Sequence, residues 1–260
     1  MQVENFVVQG LWIGASLGRM ERLSIKSFLA NGHQYHLYVY EPIKHIPKGV
    51  VVQDANAIIP SCEIFAYAKG PGKGSFAAFS NIFRYQLLCE RGGWWADLDV
   101  VCLRPFDFPA AYVFGYENLK NGKMQVGSAV FKVPQECQFI KDCLQESRSA
   151  NRKDLRWGQI GPELMDRKVR AYLLEHFVMP SFCFYPINYW EKDQEVSELS
   201  SDRSAEIQNK AFAIHLWNEM WRRDRLAGNL LNRIVKRFTI SKKRLYGRNT
   251  LLGQLQRKYL

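Results

Sequence analysis

At 260 residues with 47% apolar content, the chain is long enough to bury a full core and is ordinary in composition for a globular protein. No run approaches the roughly 18 apolar residues of a spanning helix, and Met1-Gln2-Val3-Glu4-Asn5 lacks the positive region of a signal peptide. The net charge of +11 is uneven: residues 221–260 hold twelve of the 36 Lys and Arg and one of the 25 acids, which leaves 24 of each sign in 1–220. A nucleic-acid enzyme carries its charge along a binding face, so the neutral body argues against nucleic acid as a partner. The six cysteines are scattered, with no Cys-x-x-Cys pair and no zinc spacing, which fits a reduced, cytoplasmic setting.

In chain order, residues 5–13 read as a first strand ending at Gly14. Residues 17–31 read as a helix, with Ile25, Phe28 and Leu29 at i, i+3, i+4. Tyr35 to Tyr40 and Val50 to Val52 are further strands. A strand–helix–strand opening of this length predicts a right-handed crossover and a parallel sheet. Ligands of such sheets bind beyond the carboxyl ends of the strands. That rule makes Trp12, Tyr40 and Asp54 mouth residues. The glycine-rich stretch Lys69 to Ser75 lacks the spacing of a phosphate loop and reads as a lead-in, with Ser75 a candidate N-cap.

The centre of the chain organises the rest. Phe76, Phe79, Phe83 and Leu87 mark a helix, with Asn81 and Arg84 one turn apart on a neighbouring face. Gly92-Gly93 follows as a left-handed stop. Trp95, Asp97 and Asp99 then alternate with Ala96, Leu98 and Val100, so an extended segment points both carboxylates the same way. Two like charges side by side repel, and a divalent cation removes that penalty. A metal held there can grip a substrate's phosphates. The motif is short, and two solvated acids on a half-exposed strand satisfy it equally well.

Strands are expected at 111–117 and 126–133, the second with Gly127-Ser128 where another group can approach closely. Residues 135–149 read as a helix, Asn151 to Trp157 as a basic loop, and Gly161-Pro162 as a helix start. Phe182 to Tyr189 looks strand-like and Glu191 to Asn209 looks like a surface loop. Ala211 to Asn218 reads as a buried strand with His215 and Trp217 on one face. From Trp221 the chain alternates apolar and basic residues. That pattern suits either an interfacial helix on an anionic membrane or a docked helix with solvated charges. The division expected is 1–220 for the catalytic unit and 221–260 for a basic, helical tail.

These residues resemble the glycosyltransferases with a DXD-containing sugar-binding region, which include capsule and lipopolysaccharide enzymes and α-1,4-galactosyltransferases. The resemblance is densest from Phe79 to Asp99. It extends to Leu11-Trp12-Ile13-Gly14, Gln53-Asp54-Ala55, Gly158-Gln159-Ile160-Gly161-Pro162 and His215-Leu216-Trp217-Asn218. It implies an α/β fold of the GT-A type with a mainly parallel sheet. It implies a nucleotide-diphosphate sugar donor, a UDP-sugar by preference, a saccharide or glycolipid acceptor, Mn²⁺ or Mg²⁺, and retention of configuration. By matching positions, Asp97, Asp99 and His215 would hold the metal. Trp12, Tyr40, Asn81, Arg84, Asp97, Ser128 and Trp217 would bind the donor, with Trp12 against the base and Trp217 near the β-phosphate. Arg84 and Gln159 join the aspartates as catalytic candidates. Many relatives carry aspartate where this chain has Asn81, which bears on donor identity. A cytoplasmic enzyme, peripheral on the inner membrane through 221–260, is the setting implied. The alternatives are an inactive sugar-binding homologue and a DxD phosphatase, although the chain has no Asp-Asp dipeptide for the latter.

Overall fold

The N-terminal third builds the sheet that carries the site. The structure, a computed structural model, describes residues 6–195, 201–226 and 246–260. Strand β1 (Val7–Trp12) leads into helix α1 (Arg19–Ala30), which returns the chain to β2 (Gln34–Val39), parallel to β1 with Trp12 opposite Val39. Strand β3 (Val51–Asp54) adds outside β2, again parallel. Helix α2 (Ala77–Arg91) then carries the chain to the other side of β1, where β4 (Gly93–Ala96) pairs in parallel, Val8 opposite Trp94. Strand β8 (Val130–Val133) closes that edge antiparallel to β4, so the order is β3-β2-β1-β4-β8. The order reverses between β1 and β4, and such a switch point opens a crevice beyond the carboxyl ends of the two strands. Trp12 and the Asp97–Asp99 segment stand there.

Both faces of the sheet are covered at β1, β4 and β8, whose strands read as mostly apolar runs, while the edge strand β3 is half exposed. Side chains alternate across it. Trp95, Tyr38 and Phe131 pack with Phe83 and Leu87 of α2 and with helices α3 (Gln138–Ser149) and α4 (Pro162–Ala171). Trp94, Tyr35 and Val130 face the other way, against Ile25 and Phe28 of α1 and the aromatic rings of Phe106, Phe108 and Phe184. The double glycine ends α2 as expected: the Gly92 amide caps Leu88 O in a left-handed conformation, φ 61°.

Two small sheets frame the crevice. Strand β5 (Val100–Cys102) pairs antiparallel with β10 (Ala213–His215), His215 opposite Val100. Strands β7 (Met124–Val126), β6 (Phe114–Asn118) and β9 (Val178–Met179) form the other, with Glu117 opposite Gln125.

Several expectations differ from what is found. The single strand expected over 126–133 is two, β7 and β8, broken at Gly127-Ser128. A Cβ on Gly127 would lie 2.4 Å from Tyr185 Oη, so the close approach expected there is real and bends the chain out of the ladder. The aromatics of 182–189 fill the core rather than a strand: a 3-10 turn (Ser181–Cys183) delivers Phe184 and Tyr185 inward. The polar segment 191–209 contains helix α5 (Ser201–Lys210), whose buried Ser204 and Ile207 form too short a stripe to register as periodicity.

After β10 comes helix α6 (Asn218–Leu226). Most of the apolar–basic pattern of the tail lies outside the described residues. Its last part is helix α7 (Leu251–Tyr259), capped by Thr250 Oγ1, which accepts from the Gly253 amide at 3.0 Å. Leu251, Leu252 and Leu255 are buried with Met20, Leu23, Val101 and Ile207. Burying each leucine contributes roughly 1.5–3 kcal/mol. The apolar face of α7 therefore sits in the protein core, and Lys26 Nζ donates to Leu260 O at its end. Among the described residues no helix is long and apolar enough to cross a membrane.

Candidate active site

Strand β4 stops at Ala96, and Asp97 to Asp99 form a turn rather than the extended segment expected. The Asp97 amide donates to Ala129 O on β8's side at 2.8 Å, and the Val100 amide turns back to Asp97 O at 3.0 Å. The turn still brings the carboxylates together. One ligand atom each from Asp97, Asp99 and His215 lie within 4.8 Å of one another. Two carboxylate oxygens and an imidazole nitrogen suit a hard or borderline divalent cation. The fit has support in the histidine itself: His215 Nδ1 is buried without a hydrogen-bond partner, while Nε2 lies 3.4 Å from Asp99 Oδ1.

Asp97 is held on one oxygen. Arg84 Nη2 lies 2.9 Å from Oδ1, and Trp95 Nε1 donates to the same atom at 2.8 Å. The guanidinium is only 4% exposed, and its other donors go to Ser80 O, Ser80 Oγ and Ser128 O. Every arm of Arg84 is used within the protein, so it fixes Asp97 and the 127–129 bend while forming part of the cleft wall. Burial raises the Asp97 carboxyl above its ordinary range; Arg84 opposes that rise and Asp99 adds to it. Burial opposes the imidazolium of His215, but Asp99 and Asp97 outweigh it and the net shift is upward. The upward shift of His215, and the share of the Asp97 shift that comes from Asp99, describe negative charge gathered in a place that favours a cation.

Asp99 also organises the segment returning from the far end of the chain. The Leu216 amide donates to its carbonyl at 2.8 Å, and the Asn218 amide to its Oδ2 at 2.9 Å. That carboxylate stands at the start of α6, where the helix dipole favours it. Trp217 between them is left-handed, φ 46°, a conformation that costs a bulky residue about 1 kcal/mol or more. Its ring lies 4.1 Å from that of His215, so the two do meet, but across a turn beyond β10. The indole N–H donates to Ile187 O at 2.8 Å, so it is engaged inside the protein rather than presented to a phosphate.

The crevice has two lobes that share Arg84, Asp97, Asp99 and Glu219 as a wall. The larger, about 480 Å³, adds Asn81, Ser128, His215 and Trp217, and reaches Glu117 and Gln125 opposite. The smaller, about 220 Å³, runs past Trp12, Ser80 and Asn218 toward the end of β1. Asn81 is 6% exposed and backs onto Gly161, in the lead-in to α4. Three expected site residues are not brought in. Tyr40 packs its ring on Phe79 and Phe83, and its hydroxyl donates to Ile59 O. Asp54 caps the Asn56 amide. Gln159 turns its side-chain oxygen to the Arg156 amide and borders neither lobe.

Sequence reasoning missed the Glu117–Gln125 pair and the amide of Asn218. The first depends on strand register across a turn, and the second on a left-handed residue; neither leaves a motif.

The stretches that build this site match known families. A model described as the glycosyltransferase sugar-binding region containing DXD motif matches residues 43–118, and one described as the alpha 1,4-glycosyltransferase conserved region matches 133–241. The first takes in Asn81, Arg84, Asp97 and Asp99, and the second His215 and Trp217. Both matched regions are regions of glycosyltransferases, and together they take in the residues of the site. It is 30% identical over 198 residues to the human alpha-1,4-N-acetylglucosaminyltransferase, covering 69% of this chain and 49% of that protein. It is 22% identical over 156 residues to the rat lactosylceramide 4-alpha-galactosyltransferase, covering 54% and 40%. The chain thus spans about half the length or less of these relatives. Among solved structures, the PaToxG glycosyltransferase overlaps with a TM-score of 0.47 at 12% identity, covering 83% of this chain and 85% of that one. The UDP-bound glycosyltransferase domain of the YGT toxin overlaps at 0.46 and 10%, covering 92% and 98%.

Proposed function

We propose that the chain is a metal-dependent, retaining glycosyltransferase that moves a hexose or N-acetylhexosamine from a UDP-sugar to a saccharide or glycolipid acceptor. The observation that carries this reading is the convergence of Asp97, Asp99 and His215, with both aspartates on the wall common to the two lobes and the histidine beside them in the larger. A nucleotide sugar has the same three-part layout, with base and ribose at one end, sugar at the other, and a diphosphate between them. On this reading the smaller lobe takes the nucleoside beside Trp12, and the larger takes the sugar beside Asn81.

Asp99 and His215 would hold Mn²⁺ or Mg²⁺, with Asp97 as a third ligand or as an acceptor for donor hydroxyls. The bound cation would supply neutralisation of the charge that develops on the leaving diphosphate. The protein does the rest by placement. Arg84 holds Asp97 so that it does not rotate away. The two amides on Asp99 keep it and His215 in one frame. Asn81, an acceptor and a donor at once, faces the transferred sugar. The acceptor hydroxyl would enter on the side from which the nucleotide departs. Its oxygen bonds to the anomeric carbon as the bond from that carbon to the diphosphate oxygen breaks, and its proton passes to the departing diphosphate, which gives retention without an enzyme nucleophile. Gln159 has no part in this scheme. Residues 1–220 form the transferase unit, and 221–260 a basic tail with α7 docked on the body. A role in surface polysaccharide synthesis at the cytoplasmic face of a membrane belongs to the same proposal.

Incubation with a panel of nucleotide sugars and Mn²⁺, read as nucleotide released, tests the reading. Release from at least one UDP-sugar, abolished by chelation with EDTA, is the outcome expected. Tight UDP binding with no release from any donor would instead make the chain a sugar-nucleotide-binding homologue.

A further inference from the structure

Four carboxyl-bearing side chains reach the larger lobe besides Asp97: Asp99, Glu117, Glu163 and Glu219. Three have cationic company. Asp99 faces His215, Glu163 lies 2.9 Å from Arg156 Nη2, and Glu219 lies 2.6 Å from Arg222 and 3.4 Å from Arg223. Glu117 is different. Among the described residues no lysine or arginine pairs with it, and its hydrogen-bond partner is a neutral amide, Gln125 Nε2, 2.5 Å from Oε1. The two are directly opposite across the β6–β7 pair, so their side chains share one face, and that face looks into the lobe. The strands beneath are anchored. The Val126 amide donates to Asp166 Oδ1 on α4, and Asn118 Nδ2 donates to Asn188 Oδ1. A carboxyl placed on a fixed ladder, half-buried and without a counter-ion, calls for hydroxyl partners. It is unsuited to a diphosphate, which would repel it. Burial raises its carboxyl above the ordinary range, against the hydrogen bond from Gln125 and a smaller pull from His215, which does not pair with it.

We propose that Glu117, oriented by Gln125, selects the donor by accepting a hydrogen bond from one ring hydroxyl of the sugar being transferred. This rests on the reading of the larger lobe as the sugar end of a nucleotide-sugar site. Hexoses that differ only in the direction of one hydroxyl have the same volume, so shape alone separates them poorly. A carboxylate separates them well, because it accepts from an O–H placed in one direction and is left unsatisfied by the epimer. An amide at 117 can donate as well as accept, and so tolerates both. On that reading Asn81 and the Asp97–Asp99–His215 group are the other polar contributors to the lobe, and the Glu117–Gln125 pair reads the hydroxyls they leave.

The test compares wild type, Glu117→Gln and Gln125→Ala on UDP-glucose, UDP-galactose and their N-acetyl forms with Mn²⁺, as kcat/KM for each donor. Each variant's thermal shift with UDP and Mn²⁺ is measured alongside. The expected result is a retained UDP–Mn²⁺ shift and, in Glu117→Gln, a fall of about tenfold or more in the ratio of the preferred donor to its epimer. Gln125→Ala moves the same ratio in the same direction by a smaller factor. An unchanged ratio, or an equal loss on every donor, overturns the proposal, the second by making Glu117 part of the chemistry itself. A wild type that shows no UDP–Mn²⁺ shift overturns the site reading beneath it, which is a separate failure. If Glu117→Gln does not fold, the ratio in Gln125→Ala decides alone, and no change there overturns the proposal.

Discussion

The two walls of the cleft both present carboxyl groups, and they compensate them in opposite ways. On the β4 side, the carboxylates of Asp97 and Asp99 are gripped by Arg84, Trp95, His215 and the backbone amide of Asn218. On the β6–β7 side, Glu117 has one neutral amide. The first wall is a place where negative charge has been concentrated and then fixed in position, which is what a cation and a diphosphate require. The second is a place where a carboxyl is held by an amide, with no ion-pair partner among the described residues, which suits hydroxyls. The contrast teaches that the acidity of a cleft says little by itself. What each carboxylate is paired with decides which part of a substrate it can meet.

The comparison can be broken most severely at Arg84. Replacing it with alanine leaves the partly buried Asp97 without its cation and with only the Trp95 N–H on that oxygen, which costs about 3 kcal/mol, the low end for a buried pair. Urea unfolding should show that loss, and adding Asp97→Asn should recover part of it, because the stranded charge is then gone. A single variant within 1 kcal/mol of wild type would mean that the wall is not held by this pair. The comparison is sharpened at the other extreme by Arg156. Its partner Glu163 also borders the larger lobe, but the two side chains are 69% and 42% exposed. Solvent screens such a pair, so Arg156→Ala should change stability by less than about 0.5 kcal/mol in the same measurement. A loss of several kcal/mol there would erase the distinction drawn between fixed and solvated carboxylates.

Much of the first wall was legible in the sequence and almost none of the second. The helix bearing Asn81 and Arg84, the double-glycine stop and the strand that follows are local, and local periodicity and turn chemistry report them. The parallel pairing of β1 with β2 followed from the crossover through α1, but the switch point did not, because it needs β4 to pair on the other side of β1. His215 could be paired with the aspartates only through resemblance, since 116 residues separate it from Asp99. Tyr40 and Asp54 were misplaced because they end β2 and β3, one and two strands away from the switch point, and the crevice opens between β1 and β4 alone. Trp217 was given a phosphate, but its backbone is left-handed and its indole N–H meets Ile187 O. The Glu117–Gln125 pair depends on the register of a hairpin; its turn is marked by Asn121-Gly122, with Gly122 at φ 79° and the Lys123 amide donating to Asn121 Oδ1, but a turn alone does not say which side chains then face the cleft. Helix α5 was missed because tertiary burial of two side chains, rather than periodicity, holds it in place.

The central claim, that Asp99 belongs to a metal–diphosphate anchor, is tested most directly by thermal unfolding of wild type and Asp99→Ala with UDP and Mn²⁺ together and apart. Saturation at a hundred times Kd stabilises by about 2.7 kcal/mol, enough to raise the melting temperature by a few degrees. The wild type should show that rise only when both are present. Asp99→Ala, whatever its own starting temperature, should show none. An equal rise in the variant, or a rise in the wild type with UDP alone, would contradict the account.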